Sequence, residues 1–167
     1  MRELFVMPGP TEVEPSVIQA MCRPAISHGD VRFHEVMDRA SESVAKIIGT
    51  SGQVVILVAS GRGGIEASLS TALEPDDHVL VINNGVFGTM LTNISSRCRL
   101  NVTEIRGEPG KPLDLERIDR AASAKGLKAL VTVHSETSTG ILNPIREIGE
   151  IARNYNLIYM VDAVSSA

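Results

Sequence analysis

The chain has 167 residues, of which 43% are hydrophobic and 22% charged, with a formal net charge of −4 at pH 7. That length and apolar fraction are enough for a buried core, read most simply as one domain or part of a larger one, and they exclude a disordered tail. With 16 basic residues against 20 acidic ones, no basic stripe is left for nucleic acid phosphates and no polybasic cluster for a membrane surface.

The opening MRELFVMPGP holds no apolar run long enough for a signal peptide or a membrane span, so a cytoplasmic location is expected. Pro8, Gly9 and Pro10 make a turn-rich arm, and Pro15 suits the first position of a short helix because no amide donor is needed there. The isolated Cys22 and Cys98 form no CxxC pair, which fits a reducing compartment. Over residues 32–48, Phe33, Val36, Met37, Ala40, Val44, Ile47 and Ile48 recur at helical spacing, and Gly49 offers a stop.

Beyond Gly49 the pattern changes. Short apolar runs at 54–59, 78–82, 100–105, 129–133 and 157–161 alternate with helix-length stretches near 63–73, 86–97, 115–124 and 144–154. This alternation predicts an α/β fold in three layers, a mostly parallel sheet flanked by helices. The Asn-x-Ser/Thr triplets at Asn93 and Asn101 are read as accidents of a common tripeptide, given no secretory signal.

In open sheets of this kind ligands gather beyond the carboxyl ends of the strands. The first such end runs VVILVASGRGGIEAS: Gly61, Gly63 and Gly64 bare the backbone where a helix begins, and free amides with the positive end of the dipole suit phosphate. Ser60 adds a hydroxyl and Arg62 a forked cation. A tight strand-to-helix turn would also need glycine. Glu66 stands where GxGxxG requires its last glycine, and nothing matches GxxxxGK[ST], so dinucleotide and P-loop readings lose weight.

At the second end, Phe87 in NNGVFG either stacks on a planar ligand or packs in the core, and the residues alone favour the core. At the third, His134, Glu136, Thr137, Ser138 and Thr139 could cap a helix, satisfy turn amides or bind a ligand. His134 has no partners at metal spacing, and neither have His28, His34 and His78, so no metal site is expected. At the fourth, Asp162 follows five apolar residues, where a carboxylate calls for a cation, a metal, a protonated ring nitrogen or a helix to cap.

Taken in this order, PGPTEVEPSVIQAM, SGRGGIEA, NNGVFG, HSETSTGILNPI and YMVDAVSS resemble segments of the class V aminotransferases of fold type I, over the whole chain. The likeness is to the alanine, serine or ureidoglycine to glyoxylate branch, which uses pyridoxal 5'-phosphate. The resemblance implies that Ser60, Gly61 and Arg62 hold the cofactor phosphate, Phe87 lies against the ring, Thr137 reaches its hydroxyl side and Asp162 pairs with the ring nitrogen. It also implies that Pro8, Gly9 and Pro10 border the substrate, and that the protein is a homodimer. Arg62 stands where some members carry histidine, pointing to the bacterial serine or ureidoglycine type.

The family's Schiff-base lysine has no counterpart before Ala167; Lys46, Lys111, Lys125 and Lys128 read as solvated surface charges. The expectation is therefore an arm with a short helix over 1–20, then the first part of a cofactor-binding large domain over 21–167. The remainder of that domain and a small domain would be absent, and the chain would be inactive alone. A nucleotide- or dinucleotide-binding α/β domain, or a non-catalytic fragment, are the rival readings, and fold alone does not choose among them.

Overall fold

The computed structural model describes residues 7–167, so the first six residues of the expected arm lie outside it. The chain divides into two compact units between Val58 and Ala59. In the first, helix α1 spans Pro15–Met21 with proline in its first turn, as its rigid φ favours. Helix α2, Val31–Ile48, starts where the Asp30 carboxylate accepts the Arg32 amide and stops at Gly49, whose φ of 70° is the left-handed conformation glycine tolerates best. Phe33, Met37 and Ala40 are half-buried along α2, whereas Val36, Val44, Ile47 and Ile48 are exposed.

The strand expected at 54–59 does not form. Val55, Ile56, Leu57 and Val58 are irregular and exposed. An apolar run becomes a strand only against a neighbour that takes up its N–H and C=O groups, and no described strand runs beside this one.

In the second unit the expected alternation is present. Helix α3 (Gly61–Ala72) leads to strand β1 (His78–Asn83), then α4 (Val86–Arg97), β2 (Asn101–Arg106), α5 (Leu115–Ala122) and β3 (Leu127–Val133). A two-residue hairpin follows, β4 (Ser135–Glu136) with β5 (Ile141–Leu142), before α6 (Ile145–Asn154) and β6 (Ile158–Asp162). The main sheet has the order β2-β1-β3-β6 with every pair parallel.

Alternation along the strands distributes the core between two faces. Val79 and Val81 of β1 pack with Leu69 of α3, Leu91 and Ile94 of α4, and Val131 of β3. Leu80 and Ile82, the intervening residues, pack with Ile118 and Ala122 of α5 and Ile148 and Ala152 of α6. Each central strand is thus buried on both sides, which is why its sequence reads as a continuous apolar run. The result is a three-layer sandwich whose strand ends share one edge.

Candidate active site

The chain direction of the sheet reverses at β1, since β2 lies on one side of it and β3 on the other. In a parallel sheet such a reversal parts the following loops and opens a crevice beyond the carboxyl ends. Here the segments on either side of that reversal are the one from β1 into α4, whose first turn carries Phe87, and the one after β3, which runs through Glu136 of β4 to Thr137.

Buried polar groups tie these two loops together. The Asn84 and Asn143 amides exchange hydrogen bonds of 2.8 and 3.2 Å, and Asn143 also donates to the Val133 carbonyl at 2.9 Å. Asn83 donates to Glu104 at 2.7 Å and to Thr89 at 3.0 Å, fixing the end of β1 to β2 and α4. Burial raises the Glu104 carboxyl, but hydrogen bonds from Asn83, Arg106 and Thr92 outweigh it and hold the group below its ordinary value.

The helix starts at this edge differ in their state. The first amides of α4 are all taken: Val86 donates to Ser138 Oγ at 3.1 Å, Phe87 to Glu136 Oε2 at 3.1 Å and Gly88 to the same oxygen at 3.0 Å. Helix α3 begins at Ser60 with no side-chain cap, and among the described residues no ion pair engages the exposed Arg62. An anion arriving at this edge therefore finds open donors at α3 and a resident carboxylate at α4.

The loop after β6 joins the same edge. Asp162 is half-buried, and its Oδ1 accepts the Val164 amide at 3.1 Å. A Cβ on Gly61 would stand 2.8 Å from Val164 Cγ2, so the start of α3 is packed on the turn that carries Asp162. Thr137 Oγ1 and Ser165 Oγ are 2.7 Å apart, which binds the loop after β3 to that turn as well. His134 serves through its backbone, donating to the Asp162 carbonyl at 2.8 Å and accepting from Asn143 at 2.7 Å.

Of the residues singled out in the sequence, Ser60 stands at the N-cap position of α3, Gly61 and Arg62 lie in its first turn, Phe87 lies in the first turn of α4, Thr137 follows β4 and Asp162 ends β6, all at this one edge. Pro8, Gly9 and Pro10 are exposed in the other unit. Phe87 is half-buried and packs against the α3/α4 face of the core, so the core reading holds for part of its ring. The Asn84–Asn143 pair and the Asn83–Glu104 contact had no signal at the sequence level, because each joins residues far apart in the chain. An open cleft of about 610 Å³ borders the edge on the β2 side, between Asn84, Arg106, Gly107 and Ser138.

These residues fit a phosphorylated aromatic cofactor: open amides with a guanidinium at one point, a carboxylate at another, an aromatic ring and a hydroxyl on neighbouring loops. Comparison with known proteins gives the family. The sequence pattern of the family described as Aminotransferase class-V matches residues 6–167. The (S)-ureidoglycine–glyoxylate transaminase of Bacillus subtilis is 36% identical over 163 residues, 97% of this chain and 39% of that protein. Rat alanine–glyoxylate aminotransferase is 28% identical over 99% of this chain and 40% of its own length. The crystal structure of the Bacillus subtilis ureidoglycine–glyoxylate aminotransferase superposes with a TM-score of 0.91 at 35% identity, covering 99% of this chain and 44% of that one. The chain thus spans about two fifths of the length of the curated relatives it matches. On the extent of these matches, the chain belongs to the class-V aminotransferase family.

Proposed function

We propose that the protein of which this chain forms part is an aminotransferase. It would move an amino group from a small amino acid, such as alanine, serine or ureidoglycine, to glyoxylate or a similar 2-oxo acid, with pyridoxal 5'-phosphate as cofactor. The observation that carries the reading is the packing of Gly61 on Val164 together with the Thr137–Ser165 contact, which brings the uncapped start of α3 and the turns bearing Thr137 and Asp162 to one edge. Named relatives acting on glyoxylate support the same substrate class.

When bound, the cofactor supplies an electron sink for cleavage of a bond at the substrate Cα. The chain's own residues have simpler tasks. The amides at Gly61 and Arg62, with the Ser60 hydroxyl and the Arg62 guanidinium, would hold the phosphate at the positive end of α3. Phe87 would flank the ring and Thr137 would donate to its oxygen. Asp162 would hold a proton on the ring nitrogen, a charge pairing that keeps the ring electron-poor. Pro8, Gly9 and Pro10 would border the substrate. A cytoplasmic homodimer belongs to the same reading, as does a division into an arm over 1–20 and the first part of a large domain over 21–167.

Thermal unfolding with pyridoxal 5'-phosphate, NAD and ATP added separately tests the proposal. The expected result is stabilisation by pyridoxal 5'-phosphate alone, competed by inorganic phosphate. Arg62→Ala should weaken that binding about tenfold, the loss of one charged hydrogen bond. Stabilisation by NAD or ATP with no response to pyridoxal 5'-phosphate would replace this reading with a nucleotide-binding one.

A further inference from the structure

Glu136 is fully buried, the only carboxylate among the buried polar residues described. A carboxylate so placed needs donors, since it has only acceptors to offer. It has them: Phe87 N lies 3.3 Å from Oε1 and 3.1 Å from Oε2, Gly88 N lies 3.0 Å from Oε2, and the Ser138 amide and hydroxyl lie 3.2 and 2.5 Å from Oε1.

The surrounding backbone is shaped to admit the group. A Cβ on Gly85 would overlap the Glu136 side chain, and one on Gly88 would stand 2.7 Å from the Asn83 Cα. Gly85 has an extended φ of 179°, which any residue can adopt, so its glycine is required for space and not for conformation. Glycine at both points lets α4 start close against the end of β1 with the carboxylate beneath its first turn. The Asn84–Asn143 pair closes the same junction from the other side.

We propose that Glu136 is the positioning residue of the cofactor site. From the end of β4 it grips the amides of Phe87 and Gly88 and so fixes the height and tilt of the Phe87 ring. A carboxylate is also the favoured partner of a helix N-terminus, which suits Glu136 to this grip. The inference rests on the reading of Phe87 as the residue that flanks the cofactor ring.

Glu136→Gln is the incisive substitution. It keeps the shape but turns one acceptor into a donor, and both carboxylate oxygens already face N–H groups. The apo form of the intact protein is titrated with pyridoxal 5'-phosphate, and binding is followed by the circular dichroism induced in the cofactor band. Glu136→Gln and Phe87→Ala should each weaken binding about tenfold and diminish the induced signal, a loss on the scale of one hydrogen bond to a charged group.

The double variant should be no weaker than Phe87→Ala, because Glu136 acts through that ring. Additive losses, or unchanged affinity in Glu136→Gln, would overturn the positioning role while leaving the cofactor reading intact. Unchanged affinity in Phe87→Ala would remove the stacking role, and the inference with it. If Glu136→Gln does not fold, amide exchange in the wild-type apo protein decides: the Phe87 and Gly88 amides should exchange at least about tenfold more slowly than those of Gly61 and Arg62, and equal rates would overturn the proposal.

Discussion

Glu104 and Glu136 stand near the same edge of the sheet and are held by different means. Backbone amides and a neighbouring serine face Glu136, whereas Glu104 is met by side chains: Asn83 at 2.7 Å, Thr92 at 2.8 Å and the Arg106 guanidinium at 2.5 Å. Burial works against the charged form of Glu104, and these donors prevail, so its folded carboxyl titrates below the ordinary value. The unfolded chain then binds the proton more readily. The stabilisation from Glu104 is complete above the ordinary carboxylate range and is lost as pH falls through the lower folded value. Urea unfolding of the wild type and Glu104→Gln across a range of acidic to neutral pH should therefore show a gap in midpoint that is widest near neutrality and narrows as the pH is lowered. A gap independent of pH would mean that the three donors do not favour the charged form.

At the scale of elements, start signals decide more than periodicity does. Asp30 and Gly49 bound α2 through local chemistry, and both ends are therefore readable from the letters around them. The start of α4 is different, because its cap comes from residue 136 and its close approach from Gly88, with a Cβ there placed 2.6 Å from Asn83 Oδ1 and 2.7 Å from Asn83 Cα. Alanine is the better helix former by about 1 kcal/mol, so propensity alone predicts that Gly88→Ala stabilises. Packing predicts the opposite sign. The obstructing atom is backbone at the end of the central strand, and overpacking of that kind costs about 1–3 kcal/mol, which outweighs the propensity gain. Chemical denaturation should show Gly88→Ala less stable than wild type, whereas alanine at Gly149, 3.3 Å from the edge of the Tyr159 ring, meets a side chain and should cost less.

Across the whole molecule, what could be read from the sequence was what neighbours in the chain determine. The runs at 78–82 and 129–133 are strands because each is apolar on both faces, and the helices between them return the chain to the next parallel strand. The run at 54–59 looks no different as a string, yet Val58 is fully exposed and no ladder forms, because pairing is a property of two segments and not of one. The site followed the same division. Individual letters left Phe87, Thr137 and Asp162 open to structural readings, and only their joint resemblance to a family joined them. The contacts that hold them, Glu136 to Phe87 and Thr137 to Ser165, link positions 49 and 28 residues apart. Stability follows the sheet too: among the described residues, every fully buried apolar side chain lies at Leu69 or later. Leu130, at 0% exposure between α5 and α6, should cost about 2–5 kcal/mol when cut to alanine, since a cavity there is enclosed by both helices. Val44, 38% exposed on α2, should cost less than about 0.5 kcal/mol when cut the same way. Equal losses in the two variants, measured by equilibrium unfolding, would mean that α2 is enclosed in solution as fully as the sheet is, and that the stability of this chain does not reside in residues 59–167.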